Sequence, residues 1–379
     1  MSVGCRSCGG GVEVLLTLGR VPLANALLRP EEVDRPEPVF PLDVALCGSC
    51  ALLQLVETVP PEELFSEYLY FSSFSTTMVE HARRLCSRLV AERGLGRGSL
   101  AVEVGSNDGY LLRWYAEAGI PVLGIEPARN VAQVARDRGI PTECVFFGRE
   151  EAERLARQGH RADLIHAHNV MAHVADLNGF VAGLRGLLKP GGLALIEVPY
   201  LKDLLDHLEF DTIYHEHLCY FSLTALVPLF ERHALVLEDV ERVPIHGGSL
   251  RVFVAPAGSV RPGREVSSLL EEERGWGVGR PECYRDFARR IDALKADLTT
   301  LLKGLKAQGR RVAAYGASAK GSTLLNVLGI GRETLEFVAD RSTYKQGRLM
   351  PGAHIPIVPP ERLAESMPDY VLLLTWNFA

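Results

Sequence analysis

The chemically densest stretch of the chain is Asp211-Thr-Ile-Tyr-His-Glu-His-Leu-Cys-Tyr220. From Tyr214 to Tyr220 it places two histidines, one carboxylate and two tyrosines in seven positions. An imidazole has an ordinary pKa near 6.5, so His217 suits general-base work at neutral pH. Glu216 is placed to orient or tune a neighbour, and Tyr214 to donate to a hydroxyl or a developing oxyanion. On a strand, His215 and His217 would share a face as metal ligands can, with Tyr214 and Glu216 turned away.

A second chemical stretch is Leu100-Ala-Val-Glu-Val-Gly-Ser-Asn-Asp-Gly-Tyr-Leu-Leu112. It reads as a strand carrying Glu103 at its carboxyl end, a turn bounded by Gly105 and Gly109, and a helix start. Both glycines allow positive φ and close approach of backbone to a ligand. A second strand, 121–125, ends in Glu126, placed as the acids that hold a ribose diol in dinucleotide folds. NAD would favour G-x-G-x-x-G around its pyrophosphate. Here the turn contains Asn107 and Asp108, and a carboxylate suits a cationic, phosphate-free ligand better. S-adenosylmethionine, with a sulfonium and an ammonium, fits. The alternative is a plain strand–turn–helix.

Two pairs, Cys5-x-x-Cys8 and Cys47-x-x-Cys50, make a tetrahedral Cys₄ set for one structural zinc, with no open position for catalysis. Four reduced cysteines without a ligand are the alternative. The long gap between the pairs implies an inserted loop or hairpin. Toward the other end, Arg311-Val-Ala-Ala-Tyr-Gly-Ala-Ser-Ala-Lys-Gly321 forms a second strand–turn–helix. Its Ser318, Lys320 and Gly321 suit an anion at a helix N-terminus, phosphates being the expected ones. A plain βα turn is the alternative there.

These groups must be positioned by α/β architecture. Strands are expected at 100–104, 121–125, 163–167 and 192–198, with helices at 75–93, 128–138, 149–158 and 176–188, which is a doubly wound sheet. His168 and Asn169 follow the third of these strands. The expected units are a zinc-binding lobe at 1–72, a Rossmann-like S-adenosylmethionine-binding domain at 73–256, and a Rossmann-like carboxyl-terminal domain at 257–379. The last opens on a charged helical region, 264–308, and has further strands at 335–339 and 369–375. An aromatic linker, Glu67-Tyr-Leu-Tyr-Phe-Ser-Ser73, lies at the first seam. The chain stops just after a strand, so a further helix is expected beyond it.

The 379 residues are 47% hydrophobic and 23% charged with net charge −6, as in a globular chain of two or three domains. No basic block suggests nucleic acid, and no apolar run approaches a membrane span. Without an amino-terminal apolar signal, the cytoplasm is expected.

With these residues in view, the chain resembles the nucleotide-sugar C-methyltransferases, which place a branching methyl on an activated keto-deoxysugar. The resemblance runs through Pro22-Leu-Ala-Asn25, Glu103-Val-Gly-Ser-Asn-Asp-Gly109, Tyr214-His-Glu-His217, Ile245-His-Gly-Gly-Ser-Leu-Arg251, Tyr315-Gly-Ala-Ser-Ala-Lys-Gly321 and Leu372-Leu-Leu-Thr-Trp-Asn-Phe378. It implies S-adenosylmethionine in the middle unit and a nucleotide-diphospho-keto-sugar against the carboxyl-terminal one. His217 would be the base, with Tyr68 and His173 lining the same site. The sugar would also meet Tyr315 and His246. Position three of a 4-keto sugar, which is α to the ketone, is the expected methyl acceptor. A non-catalytic S-adenosylmethionine-binding protein with a zinc lobe is the competing reading, to which the Tyr214–His217 cluster would be of no use.

Overall fold

A computed structural model describes residues 4–65 and 71–376. Its strands run β1 (Val12–Pro22), β2 (Val39–Cys47), β3 (Leu53–Leu55), β4 (Ala101–Val104), β5 (Val122–Ile125), β6 (Thr142–Glu143), β7 (Ala162–His168) and β8 (Leu188–Pro199). They continue as β9 (Cys219–Tyr220), β10 (Leu235–Val243), β11 (Ser249–Pro256), β12 (Val312–Tyr315), β13 (Val338–Ala339), β14 (Ile357–Val358) and β15 (Tyr370–Leu373).

The residues between the cysteine pairs form an antiparallel hairpin, β1 against β2, with β3 beside it. The fourth strand of that sheet is β9, from the middle of the chain: Leu53 pairs with Tyr220 and Gln54 with Cys219. The Tyr214–Tyr220 stretch is therefore built into the amino-terminal lobe. The two units also share one apolar core, which runs from Leu42, Leu46 and Leu52 to Val102, Ile165 and Ile196.

The middle sheet has seven strands in the order β10-β11-β8-β7-β4-β5-β6. Strands β4 to β8 are parallel, and β10 and β11 close one edge antiparallel. From β4 the chain winds to β5 and β6, then crosses to β7 and β8. The crevice between β4 and β7 is thus the switch point at which such sheets bind ligands. The fourth expected strand, 192–198, begins earlier, at Leu188: Leu188 pairs with Ala162, and the ladder resumes at Leu193 opposite Leu164 after an irregularity.

The carboxyl-terminal sheet is parallel, β14-β13-β12-β15, over its own apolar core around Val312, Leu325, Val338 and Ile357. The charged helical region expected over 264–308 consists of two helices, Arg264–Trp276 and Pro281–Ala307. Gly277 at φ 87° ends the first, and Pro281 opens the second at a position where its missing N–H costs nothing.

Gly105 sits at φ +65°, and a Cβ there would meet Val170 Cγ2 at 2.4 Å. We expect Gly105→Ala to lose roughly 2–5 kcal/mol, the sum of a left-handed penalty and local overpacking. Chemical denaturation would measure it; an unchanged midpoint would contradict the tight approach of Val170.

Candidate active site

At the carboxyl end of β4 the cofactor turn gathers three carboxyls. Glu103 and Asp108 are buried, and Glu126 lies close by at the end of β5. Burial first, then the charges of Glu126 and Asp108, push the Glu103 carboxyl well above its usual range. Neither Glu103 oxygen, nor Ser106 Oγ, nor Asp108 Oδ1 has a hydrogen-bond partner among the described residues. Glu126 accepts from the backbone N–H groups of Asn107 and Ala128, each at 2.9 Å, which ties the strand end to the turn. Asp108 is paired with Arg138 at 2.8 Å. Unpartnered buried acceptors fit a ligand that brings donors and positive charge, as S-adenosylmethionine does, and repel a pyrophosphate. Gly109, at φ +77°, lies against Ile140.

The aromatic linker leads into this turn. Tyr68 lies outside the described residues. Just after it, the Ser72 N–H donates to Asn107 Oδ1 at 2.8 Å, and the Phe71 ring stacks on Tyr344 of the carboxyl-terminal unit at 5.6 Å.

The Tyr214–His217 segment is a turn, not a strand, and this separates its histidines. His215 points into the lobe, its Nε2 3.1 Å from the Pro41 carbonyl and its ring edge-on to Phe40. Glu216 accepts from Asn25 Nδ2 at 2.6 Å, which joins the Pro22–Asn25 motif to the cluster. The shared face imagined for His215 and His217 as metal ligands does not form. His217 points the other way. A carbonyl only accepts, so the 2.8 Å contact of Nδ1 with Thr212 O places the ring proton on Nδ1. Nε2 is left as the basic atom, 2.9 Å from the Tyr214 hydroxyl, which donates to it. The His173 ring meets His217 edge-on at 4.8 Å. The backbone between them is pinned as well, the Leu218 N–H donating to the Ala172 carbonyl at 2.7 Å. Burial, followed by the charges of His173, Lys320 and His246, holds His217 well below the ordinary imidazole pKa. His173 and His246 are each pushed down to about 4, chiefly by burial.

From the carboxyl-terminal unit, Lys320 reaches this same region. Its Nζ lies 4.6 Å from the Trp376 ring centre, and Trp376 Nε1 donates to Asp211 Oδ2 at 2.8 Å. The expected anion cradle is partly filled by protein: Asp340 Oδ2 accepts the Ala317 N–H at 2.7 Å, and Ser318 Oγ accepts that of Gly321 at 3.0 Å. Tyr315 ends β12 just before that turn.

His168, expected at the cofactor, has both ring nitrogens engaged elsewhere. It donates to Glu197 at 3.0 Å and accepts from His166 at 2.9 Å, and His166 accepts from Tyr115 at 2.8 Å. His81 and Arg251 converge on the same carboxylate. Burial alone would raise the Glu197 carboxyl; His168, His81 and Arg251 overcome this and hold it well below the usual range. Asn169 follows at φ +54°, its N–H donating to the Glu197 carbonyl at 2.9 Å. Sequence reading passed over this network, although a lone acid in the apolar run Gly192–Val198 was its signal. Asp211, Trp376 and Thr212 were missed too, since their roles come from contacts with distant segments.

The four cysteine sulfurs lie within 4.8 Å of one another, with Cys5–Cys50 and Cys8–Cys47 at 3.5 Å. A tetrahedral zinc thiolate needs about 3.8 Å between sulfurs, so the set fits one ion. The contact between Cys5 and Cys50 lowers the pKa of the Cys5 thiol and raises that of Cys50, so the first of the pair is the readier thiolate, the form that ligates.

A doubly wound sheet with an acidic, phosphate-hostile pocket at its switch point, beside a poised imidazole, defines an S-adenosylmethionine-dependent methyltransferase. Three family models match in order: one described as "Putative zinc binding domain" over 5–65, "Methyltransferase domain" over 78–240 and "C-methyltransferase C-terminal domain" over 244–379. The C-methyltransferase NovU from Streptomyces niveus is 42% identical over 99% of this chain and 90% of its own. The chain belongs to this C-methyltransferase family. A ubiquinone biosynthesis O-methyltransferase from Chelativorans sp. (strain BNC1) is 32% identical over 26% of the chain and 40% of its own. Among solved structures, the PH0226 protein from Pyrococcus horikoshii OT3 aligns with TM-score 0.40 and 15% identity over 53% of this chain and 100% of its own. No helix among the described residues is long and apolar enough to cross a membrane.

Proposed function

We propose that this protein methylates a carbon α to the ketone of a nucleotide-activated keto-deoxysugar, by way of an enolate generated by His217. The observation that carries the reading is the His217 tautomer: Nδ1 is committed to the Thr212 carbonyl, so Nε2 is an unprotonated base inside a site shared by the middle and carboxyl-terminal units. Tyr214, now on Nε2, is placed to turn its hydroxyl to the sugar as the base takes the proton. His173 and Glu216 set the position of that base, the first through ring contact and the second through its anchor on Asn25. Tyr68 belongs at the same sugar by resemblance. His246 on the middle unit and the Tyr315–Gly321 turn on the other would bracket the nucleotide sugar.

When bound, S-adenosylmethionine supplies an electrophilic methyl on a cationic sulfur. Glu103, Asn107 and Asp108 would hold its charged and polar end, Gly105 and Gly109 would let backbone approach, and Glu126 would hold the ribose diol. Asn169 lies at the neighbouring strand end. A structural zinc on Cys5, Cys8, Cys47 and Cys50 closes the lobe. These partners need neither nucleic acid nor membrane, which fits a cytoplasmic enzyme.

The test is incubation with a panel of nucleotide 4-keto-deoxysugars and S-adenosylmethionine, with the product methyl located by NMR. Methyl at C-3 is expected; C-5, also α to a C-4 ketone, is the chemical competitor. Tight cofactor binding without methylation of any keto-sugar would overturn the enzyme reading in favour of a binding protein.

Loss of a charged acceptor shared with a ribose removes roughly 1.5–3 kcal/mol. Glu126→Ala should therefore weaken S-adenosylmethionine binding by about 10- to 100-fold in calorimetry. Affinity equal to wild type would remove Glu126 from the ribose.

A further inference from the structure

Lys320 was expected at the diphosphate, and its surroundings argue for different work. Its side chain starts in the first turn of the helix Ala319–Leu328, where that helix packs on the turn Phe210–Thr212, and its Nζ is buried. Among the described residues Nζ has no hydrogen-bond acceptor. One side is covered by the Trp376 ring at 4.6 Å. The carboxylates whose charge it feels are Asp211 and Glu209, and neither is hydrogen-bonded to Nζ. Asp211 takes the Trp376 N–H at 2.8 Å. Glu209 lies against Gly247, where a Cβ would meet its Oε1 at 2.3 Å, and its Oε1 is 3.6 Å from His207 Nδ1. A buried ammonium with an open donor set needs an acceptor from a ligand.

The position of the ammonium says which acceptor. Asp211 is next in sequence to Thr212, whose carbonyl fixes His217 Nδ1. Gly247 is next to His246. Both imidazoles feel the lysine charge, which lowers the pKa of each. Lys320 and His217 thus both gather at the turn Phe210–Thr212, the helix of the first packed on it and the ring of the second bonded to its last carbonyl. A diphosphate there would bring permanent negative charge next to Asp211 and Glu209, while Asp340 already occupies the Ala317 N–H at the mouth of the turn. A keto oxygen is neutral until its α proton leaves, so a cation aimed at it acts mainly on the transition state.

We propose that Lys320 is a catalytic residue whose ammonium donates to the keto oxygen of the sugar while His217 Nε2 removes the neighbouring proton. The inference rests on the function proposed above. In the step, the C–H bond breaks, its proton passes to Nε2, its electron pair forms the C=C bond, and the carbonyl π pair moves to oxygen beside Lys320. The carbon then forms its bond to the cofactor methyl as the methyl–sulfur bond breaks, which leaves a neutral thioether and restores the ketone.

The experiment compares wild type with Lys320→Met and Lys320→Gln, both neutral, and Lys320→Arg, which keeps the charge. Three readouts are taken: kcat for methylation, affinity for the bare nucleoside diphosphate of the accepted sugar (dTDP or GDP), and affinity for S-adenosylmethionine. Removing one oxyanion donor costs about 10²–10³ in kcat. Lys320→Met and Lys320→Gln should show that loss with both affinities unchanged, and Lys320→Arg should recover part of it. If one neutral variant fails to fold, judged by lost S-adenosylmethionine binding, the other decides. A higher KM and weaker diphosphate binding with kcat intact would return Lys320 to the phosphates and overturn the proposal, as would kcat near wild type throughout. Failure of wild type to methylate any keto-sugar would remove the function reading itself, an outcome separate from an active wild type beside an equally active Lys320→Met.

Discussion

Replacing His217 by asparagine should cut turnover by about 10²–10⁴-fold, the range for losing a general base. Cofactor affinity in calorimetry should stay near wild type, because the β4 turn and Glu126 owe nothing to His217. Asparagine keeps polarity and rough size but has no basic nitrogen to replace Nε2. Tyr214→Phe should lose less, since it removes one hydrogen bond to Nε2 and leaves the base. The pH profile carries the same signature. Protonation silences the base, and the folded-state pKa of His217 lies well below 6.5, so the acid limb of kcat/KM should fall below that value. Stability should follow with the same sign. His173 and His246 titrate near 4 when folded and near 6.5 when unfolded, so the unfolded chain binds more protons between those values. The stability from burying them neutral is complete above pH 6.5 and is lost as pH falls toward 4. Near-normal turnover of His217→Asn beside a dead His215→Asn or Glu216→Gln would move the base elsewhere in the cluster.

Stripping the metal should be as damaging, by a longer route. Purified protein should carry about one zinc per chain, bound by Cys5, Cys8, Cys47 and Cys50. Structural zinc contributes on the order of 10–16 kcal/mol in small zinc-folded peptides. Without it, the β1–β2–β3 sheet loses the ends that hold it closed: Cys47 ends β2, and Cys50 lies three residues ahead of β3. That sheet is the support of the Tyr214–Tyr220 segment. Strand β9 pairs with β3, Leu55 N–H donates to the Leu218 carbonyl at 2.9 Å, and Asn25 and Pro41 hold Glu216 and His215. Chelation, or Cys47→Ser, should therefore abolish methylation through the position of His217, a group that never touches the metal. Full turnover from metal-free protein with four freely titrating thiols would refute both the zinc and its route to the site.

Much of the local structure is legible residue by residue. Strands β4, β5 and β7 and the helices after them fall within a residue or two of expectation, because apolar runs between glycine turns admit few conformations. Gly105 and Gly109 at positive φ, and cysteines spaced to meet, are likewise properties of short segments. The inserted hairpin follows from the length of the gap between the cysteine pairs.

What tertiary structure alone decided is which of these groups face one another. Period-two alternation would have put His215 beside His217; a turn, imposed by pairing β9 to the lobe, sent one to Pro41 and the other to Thr212. His168 looked free at a strand end but was claimed by Glu197 across the sheet. Lys320 was expected to meet a phosphate in its own turn; the fold also sets it beside Trp376 and near Asp211, which belongs to another unit. The contacts that bring these groups together join Asn25 to Glu216 and Asp211 to Trp376, separations of 191 and 165 residues. Sequence by itself determined the kinds of chemistry available and the local frames that carry them, since φ preferences and apolar period act over a few residues. The partners of each side chain were settled by long-range strand pairing and burial, which no short window contains.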